Sequence, residues 1–330
     1  MQDLPVINIK ALIDRSDRAT VATEIRAACI DKGFFYIVGH GVDPGLEQKL
    51  EALSGQFFEL PEAEKLTYRM AMAGRAWRGF FPVGGELTSG KPDWKEGLYF
   101  GEEHEDDHPL VLAQTPLHGK NLFPDLPEFK ATVLQYLQVM TDLSHRLMEG
   151  IALSLGLDEH YFFQHFTSDP TILFRIFHYP PPPPGTTVWG VGEHSDYGLL
   201  TILKQDDVGG LEVKTKTGWI EAPPLAHAFV CNIGDMLDRL TRGLYRSTPH
   251  RVQNKTQRER CSYPFFFDPS FKAQINALPV KLELFSQATQ EAREVRWDKS
   301  DVHAFSGTYG DYLLGKVDKV FPDLKDSAKV

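Results

Sequence analysis

Two short histidine-containing motifs constrain the fold of this chain more than any other feature. His194 and Asp196 lie two residues apart at the start of an apolar run that ends near Leu203. If this segment is a β-strand, residues i and i+2 point to one face, which aims an imidazole and a carboxylate at a common point. His250 follows 56 residues later and also has the pattern of an opening strand. Together these side chains predict a metal site with open positions opposite the protein ligands.

An arginine and a serine further along the chain strengthen that prediction, because a His-x-Asp pair alone occurs by chance in many chains. Arg260 and Ser262 are again two residues apart, ahead of the apolar run 263–267. An arginine that points inward from a strand beside a metal needs an anion, and its planar guanidinium matches a carboxylate. Ser262 can supply one more hydrogen bond to that carboxylate.

In this order the motifs resemble the isopenicillin N synthase-like family of Fe(II)/2-oxoglutarate-dependent dioxygenases. The resemblance covers nearly the whole chain, since two N-terminal segments are similar to the opening strands of that family and a third is similar to its helix-ending signature. Several ordered motifs at the family spacing are much more specific than any one of them. The matching segments are residues 4–8, 33–42, 57–65 and 175–180, His194-Ser195-Asp196, His250 and Arg260-Cys261-Ser262.

The resemblance implies a fold class and a metal. The expected fold is mainly β with flanking α-helices, built on a double-stranded β-helix (jelly-roll, cupin-like) core. Short strands separated by turn residues across residues 171–269 agree with that class. His194, Asp196 and His250 would be both the metal ligands and the catalytic centre, with Fe(II) as the ion. Imidazole and carboxylate ligands also suit zinc, so the choice of iron depends on the resemblance.

The resemblance also implies a co-substrate site. Arg260 and Ser262 would bind the distal carboxylate of 2-oxoglutarate, and Tyr179 matches a family tyrosine that often contacts the same group. Phe177 replaces an asparagine that is frequent in the family, which leaves any contact made by that asparagine in doubt. With O2, the expected reaction is hydroxylation or another oxidation of a C–H bond in a small molecule, with release of succinate and CO2.

Two other functions fit the same motifs. In an oxidase like isopenicillin N synthase, the substrate would bind iron directly, no 2-oxo acid would be used, and Arg260 and Ser262 would hold the substrate carboxylate. A non-catalytic protein could instead use the metal pocket to sense a small acid. Succinate formation separates the first alternative from the main prediction, and tight 2-oxoglutarate binding without oxygen consumption would favour the second.

Composition excludes several classes of partner. Lysine plus arginine number 35 and aspartate plus glutamate 45, for a net charge of −10, which argues against a nucleic-acid-binding or anionic-membrane-binding surface. Three widely spaced cysteines predict neither a disulfide framework nor a zinc ribbon. The N-terminus lacks a signal-peptide pattern, so we expect a cytoplasmic protein with a small-molecule substrate. The oligomeric state stays open.

The length of 330 residues alone would allow two domains, but β-barrel proteins with added helices often reach this length as one unit, so we expect one catalytic unit over residues 1–330. Residues 1–127 would form an N-terminal α/β region with substrate-side loops, and residues 128–330 a long helix, the jelly roll and C-terminal helices. Helices are predicted over 17–32, 44–58, 62–70, 128–155 and 301–319. The glycine- and proline-rich segment 71–127 would be either a wall of the substrate pocket or a solvated loop. In the first case Arg78 and Lys95 are candidate partners for a charged substrate.

Overall fold

The computed structural model describes residues 3–88, 90–280 and 301–320. The strands, numbered along the chain, are β1 Val6–Asn8, β2 Phe34–Val38, β3 Gly79–Phe81, β4 Leu87–Thr88, β5 Lys91–Pro92, β6 Glu96–Gly101, β7 Thr171–Tyr179, β8 Val191–His194, β9 Leu200–Gln205, β10 Leu211–Thr215, β11 Gly218–Glu221, β12 Phe229–Ile233, β13 His250–Val252 and β14 Arg260–Asp268. The helices are α1 Lys10–Ile13, α2 Arg18–Asp31, α3 Pro44–Phe58, α4 Glu62–Lys65, α5 Pro109–Leu112, α6 Phe129–Ser154, α7 Asp235–Leu240 and α8 Tyr309–Val320.

Two main sheets form the core. The larger has eight strands in the order β1-β2-β12-β9-β14-β7-β6-β3, and the smaller has four in the order β11-β10-β13-β8. Their pairs are antiparallel except β1 with β2, and β4 and β5 form a separate two-stranded ribbon. Side chains from both main sheets line one pocket between them. This arrangement confirms the predicted mainly β fold with a jelly-roll core.

Strict alternation along β7 and β14 separates the pocket side of the large sheet from its helix-covered side. On β14, every second residue lines the pocket: Arg260, Ser262, Pro264, Phe266 and Asp268. The alternate residues Phe265 and Phe267 are fully buried on the other face. One face of β14 therefore lines the pocket, and the other packs against apolar side chains.

The long helix α6 covers that apolar face, as predicted. The Tyr136 ring of α6 lies 5.1 Å from the ring of Phe174 on β7, and His145 lies 4.9 Å from Phe267 on β14. The helix buries a continuous stripe of apolar side chains. Helical packing thus stiffens the strands whose opposite face forms the pocket.

The N-terminal helix α2 follows its predicted boundaries closely. The Asp17 carboxylate caps its first turn by accepting from the Thr20 amide at 3.1 Å. Gly33 ends the segment with φ +64°, and a Cβ there would lie only 2.2 Å from the Arg246 carbonyl oxygen. Glycine is required at this position because both the left-handed backbone and the close approach exclude a side chain.

The segment 71–127 differs from the predicted loop. Its two apolar parts form strands β3 and β6, and β6 pairs with β7 to extend the large sheet. The predicted helix over 62–70 is also interrupted, since α4 ends at Lys65 and short 3₁₀ turns follow. Aromatic side chains of β3 and β6 are buried, and their packing stabilises this glycine-rich segment.

No helix within 3–88, 90–280 or 301–320 is both long and apolar enough to cross a bilayer. The division of the chain at residues 127 and 128 stays a prediction. The predicted C-terminal helix corresponds to a 3₁₀ turn, Val302–Ala304, followed by α8.

Candidate active site

Three predicted ligand side chains converge at the open end of the small sheet. His194 is the last residue of β8 and His250 the first of β13, and the two are direct partners in the antiparallel register. The Nε2 atoms of His194 and His250 lie 3.8 Å and 3.6 Å from Asp196 Oδ1. One candidate ligand atom from each residue lies within 4.8 Å of the others, so a single metal ion can contact all three.

Strand alternation is not what brings His194 and Asp196 together. The structure ends β8 at His194, and Asp196 lies in the turn that follows. This connection leads from β8 of the small sheet to β9 of the large sheet, and it places the carboxylate beside the two imidazoles. The residues were therefore placed at one site correctly, but for a different local reason.

Backbone carbonyls fix the orientation of both histidines. The Nδ1–H of His194 donates to the Gly192 carbonyl at 2.8 Å, and that of His250 to the Thr248 carbonyl at 3.2 Å. Because a carbonyl can only accept, these contacts place a proton on Nδ1 of each ring and leave Nε2 as the nitrogen that can bind a metal. Burial, together with the nearby His250, lowers the pKa of His194 to about 3, which keeps its imidazole neutral.

Two polar side chains hold the Asp196 carboxylate. Thr201 Oγ1 and Asn232 Nδ2 both donate to Asp196 Oδ2 at 2.6 Å, which leaves Oδ1 facing the imidazoles. Burial alone would raise the pKa of Asp196, but the histidines and these two hydrogen bonds bring it below its ordinary value. The donor set is thus two imidazoles and one carboxylate, which suits a divalent cation.

Thr201 and Asn232 were missed by the sequence analysis. Thr201 is a buried polar residue between two apolar residues of β9, and Asn232 is the one polar residue of β12. Such residues need a hydrogen-bond partner inside the protein, and this was the signal available in the sequence. The partner itself is set by the pairing of β9 with β12, which places Thr201 opposite Asn232.

Arg260 forms a second polar centre deep in the same pocket. Its side chain is fully buried, and its guanidinium lies 4.5 Å from the centre of the Tyr179 ring. Nε donates to the Gly209 carbonyl and Nη2 to Gln205 Oε1 at 3.3 Å. Nη1 is buried without a hydrogen-bond partner among the described residues. A buried cation with a free donor fits a carboxylate ligand.

Ser262 and Tyr179 complete this centre. Their hydroxyl oxygens are 3.2 Å apart, and Arg260 pairs with Tyr179 in the register of β14 and β7. All three predicted co-substrate residues therefore lie together on the large sheet. They share one pocket with the three candidate metal ligands.

The two cations considered for substrate binding have different positions. Arg78 lies outside the metal pocket and donates to the backbone carbonyls of Glu102, Gly119 and Leu117, so it fastens loops together. Lys95 does line the pocket, but its ammonium is paired with Glu86 at 2.7 Å and with Asp93.

Two family models match the chain. Residues 4–126 match "non-haem dioxygenase in morphine synthesis N-terminal", and residues 170–269 match "2OG-Fe(II) oxygenase superfamily". The second match contains all the candidate metal and co-substrate residues discussed above.

Relatives and solved structures are similar over nearly the full length. A Dictyostelium discoideum protein named probable iron/ascorbate oxidoreductase is 51% identical, covering 99% of this chain and 97% of its own. The 1-aminocyclopropane-1-carboxylate oxidase of Dictyostelium mucoroides is 41% identical, over 98% and 96% of the two chains. A Neurospora crassa protein solved in complex with alpha-KG (2-oxoglutarate) and thymine is 28% identical, with a TM-score of 0.76 and coverage of 95% and 96%.

Proposed function

The chain belongs to the 2OG-Fe(II) oxygenase superfamily and is an oxidoreductase that uses Fe(II) and 2-oxoglutarate, and we propose that His194, Asp196 and His250 bind the iron. The observation that carries this proposal is the convergence of three oriented donor atoms within 4.8 Å. The two imidazoles present lone pairs, and the carboxylate is turned toward them by Thr201 and Asn232. Two neutral nitrogens and one anionic oxygen suit Fe(II) and leave its other coordination positions for exogenous ligands.

Arg260, Ser262 and Tyr179 bind the distal carboxylate of 2-oxoglutarate in this proposal. The unpaired Nη1 of Arg260 supports the assignment, because an isolated buried guanidinium is costly unless an anion accepts from it. Ser262 and Tyr179 present hydroxyl groups beside the guanidinium. The Gly209 and Gln205 oxygens hold the rest of the arginine in place, so the site is formed before the ligand arrives.

The primary substrate is a small molecule in this proposal. When bound, iron and 2-oxoglutarate supply oxygen activation, with the 2-oxo acid leaving as succinate and CO2. The chain's own task is to hold both ligands, exclude water and place one C–H bond beside the metal. One pocket contains the candidate metal ligands, the candidate 2-oxoglutarate residues and further apolar side chains beside them. The relative named 1-aminocyclopropane-1-carboxylate oxidase and the neighbour solved with thymine support a small-molecule substrate.

Iron content and succinate formation test the proposal together. We expect His250→Ala to lose most bound Fe(II) and all succinate formation from 2-oxoglutarate. His160→Ala is the matched control, because His160 is half-exposed and lies away from the pocket. Wild-type iron content in His250→Ala would contradict the ligand assignment. Oxygen consumption without succinate in the wild-type protein would instead favour the oxidase alternative.

A further inference from the structure

Arg175 is a buried cation in the metal pocket that neither the metal nor the 2-oxoglutarate assignment uses. It lies on the inner face of β7, on the same side as Tyr179. Its guanidinium packs between two aromatic rings, 4.1 Å from the centre of Tyr99 and 4.9 Å from that of Phe266. Stacking of this kind fixes the plane of the guanidinium and leaves its edge free to donate.

The hydrogen bonds around Arg175 are incomplete. Its nearest acid in the described part of the chain is Glu86, whose Oε1 lies 3.7 Å from Nη1, too far for a hydrogen bond. The Nε atom is buried and has no hydrogen-bond partner among the described residues. Glu86 is already engaged by Lys95 at 2.7 Å and by the Tyr99 hydroxyl. Glu86 therefore steadies Arg175 electrostatically without using its donors.

Arg175 and Arg260 lie at different ends of the pocket. Arg260 pairs with Tyr179, and Arg175 is four residues before Tyr179 on β7, or roughly 13 Å along the strand. Phe266, which stacks on Arg175, pairs with Thr201, the donor to Asp196. Arg175 is therefore on the metal side of the pocket, where the primary substrate must present its reacting bond.

An apolar chamber adjoins the pocket at Arg175. It shares five residues with the metal pocket, namely Glu86, Leu173, Arg175, Tyr197 and Val320. The described residues of its wall are mainly apolar, including Trp77 and Phe100. A ligand that places a charged group at Arg175 can thus extend an apolar part into this chamber.

We propose that Arg175 binds an anionic group of the primary substrate, which is a small organic acid with an apolar body. This inference rests on the proposed function, since the acid must lie beside the metal to be oxidised. A carboxylate accepts from the free edge of the guanidinium and neutralises a buried charge that Glu86 balances only at a distance. Arg175 is thereby a residue that selects the substrate.

Matched pairs of acids and amides test the inference. The probes are hexanoate, phenylacetate and cinnamate with their primary amides, and hexylamine and phenethylamine as cations. Binding is measured by calorimetry to the anaerobic protein loaded with Fe(II) and 2-oxoglutarate, and succinate formation is measured in air. We expect at least one acid to bind ten times more tightly than its amide and to stimulate succinate formation, with the amines inactive.

Variants then assign the preference to one side chain. Arg175→Gln should weaken binding of that acid at least tenfold and abolish its advantage over the amide, without changing the affinity for 2-oxoglutarate. Arg175→Lys, which keeps the charge, should retain part of the advantage. Arg251→Gln is the matched control, because Arg251 also stacks between two rings, Trp189 and Trp219, and pairs with a glutamate but does not line the pocket.

Three results would overturn the inference. They are binding of no acid by wild-type protein, equal binding of acids and amides, and unchanged acid binding in Arg175→Gln. The acid and amide comparison needs no variant, so misfolding of Arg175→Gln cannot conceal the answer. Failure of the proposed function looks different, since the protein would then bind no iron or form no succinate with any probe.

Discussion

Asp268 provides a prediction of how stability depends on pH. It ends β14, is only 3% exposed, and accepts hydrogen bonds from the Leu199 amide at 3.2 Å and from the Tyr309 hydroxyl. Burial raises the pKa of Asp268 from its ordinary value of 3.8 to about 7. The unfolded chain therefore releases this proton at lower pH than the folded protein. The contribution of Asp268 to stability must therefore fall as the pH rises from about 4 to about 7.

The shift sets the size of the effect. With pKa values of 3.8 and about 7, ionisation of Asp268 costs the folded state about 2 kcal/mol more at pH 8 than at pH 5.5. Asp268→Asn removes this titration and keeps a polar group of the same shape. The unfolding free energy of the variant, relative to wild type, should therefore improve by about 2 kcal/mol over that interval.

Urea denaturation of metal-free protein, followed by tryptophan fluorescence at pH 5.5 and pH 8, measures this difference. Other titrating groups, including His194 with its lowered pKa, are common to both proteins and cancel. A difference in unfolding free energy that is the same at both pH values would refute the reasoning, because Asp268 would then titrate alike in the folded and unfolded states.

Three further substitutions test separate parts of the site. Arg260→Ala should weaken 2-oxoglutarate binding by about 1.5–3 kcal/mol in an anaerobic titration, because a desolvated charge-assisted contact is lost, whereas Arg258→Ala, at an exposed arginine, should leave it unchanged. Thr201→Val should reduce iron affinity about 10- to 100-fold at unchanged fold, measured with a competing chelator, since the carboxylate ligand loses one of its two donors. Gly198→Ala would place a Cβ 1.3 Å from Asp268 Oδ1, so urea unfolding should show a loss of about 1–3 kcal/mol. Wild-type values in any of these assays would contradict the corresponding contact.

Local spacing correctly predicted that Arg260 and Ser262 share a face and that His250 begins a strand, whereas the rest of the site depended on the order of several motifs. Arg260 and Ser262 share a face because β14 is a regular strand, which is what their spacing indicated. His250 does open a strand, β13. The fold class followed from the order of several motifs along nearly the whole chain, because motifs combined in order are more specific than one alone.

Contacts between distant strands could not be predicted in the same way. Asn232 reaches Asp196 because β12 pairs with β9, and no local pattern encodes that register. The sequence also pointed to Arg78 and Lys95 as cations for a charged substrate, yet Arg78 lies outside the metal pocket and Lys95 is paired with two acids. Arg175 instead lines the metal pocket, with a buried Nε that has no hydrogen-bond partner among the described residues. Which cation can contact a substrate therefore depends on packing between segments that are distant in the sequence.

An anaerobic titration of the Fe(II)-loaded protein with 2-oxoglutarate tests the central claim most directly. Chelation of the keto acid to iron gives a weak visible charge-transfer band. We predict that the band appears at near-stoichiometric ligand in wild type and in His160→Ala, and that it is lost in Asp196→Ala. Iron binding by wild-type protein without any band would contradict the assignment of this pocket as the site where iron and 2-oxoglutarate meet.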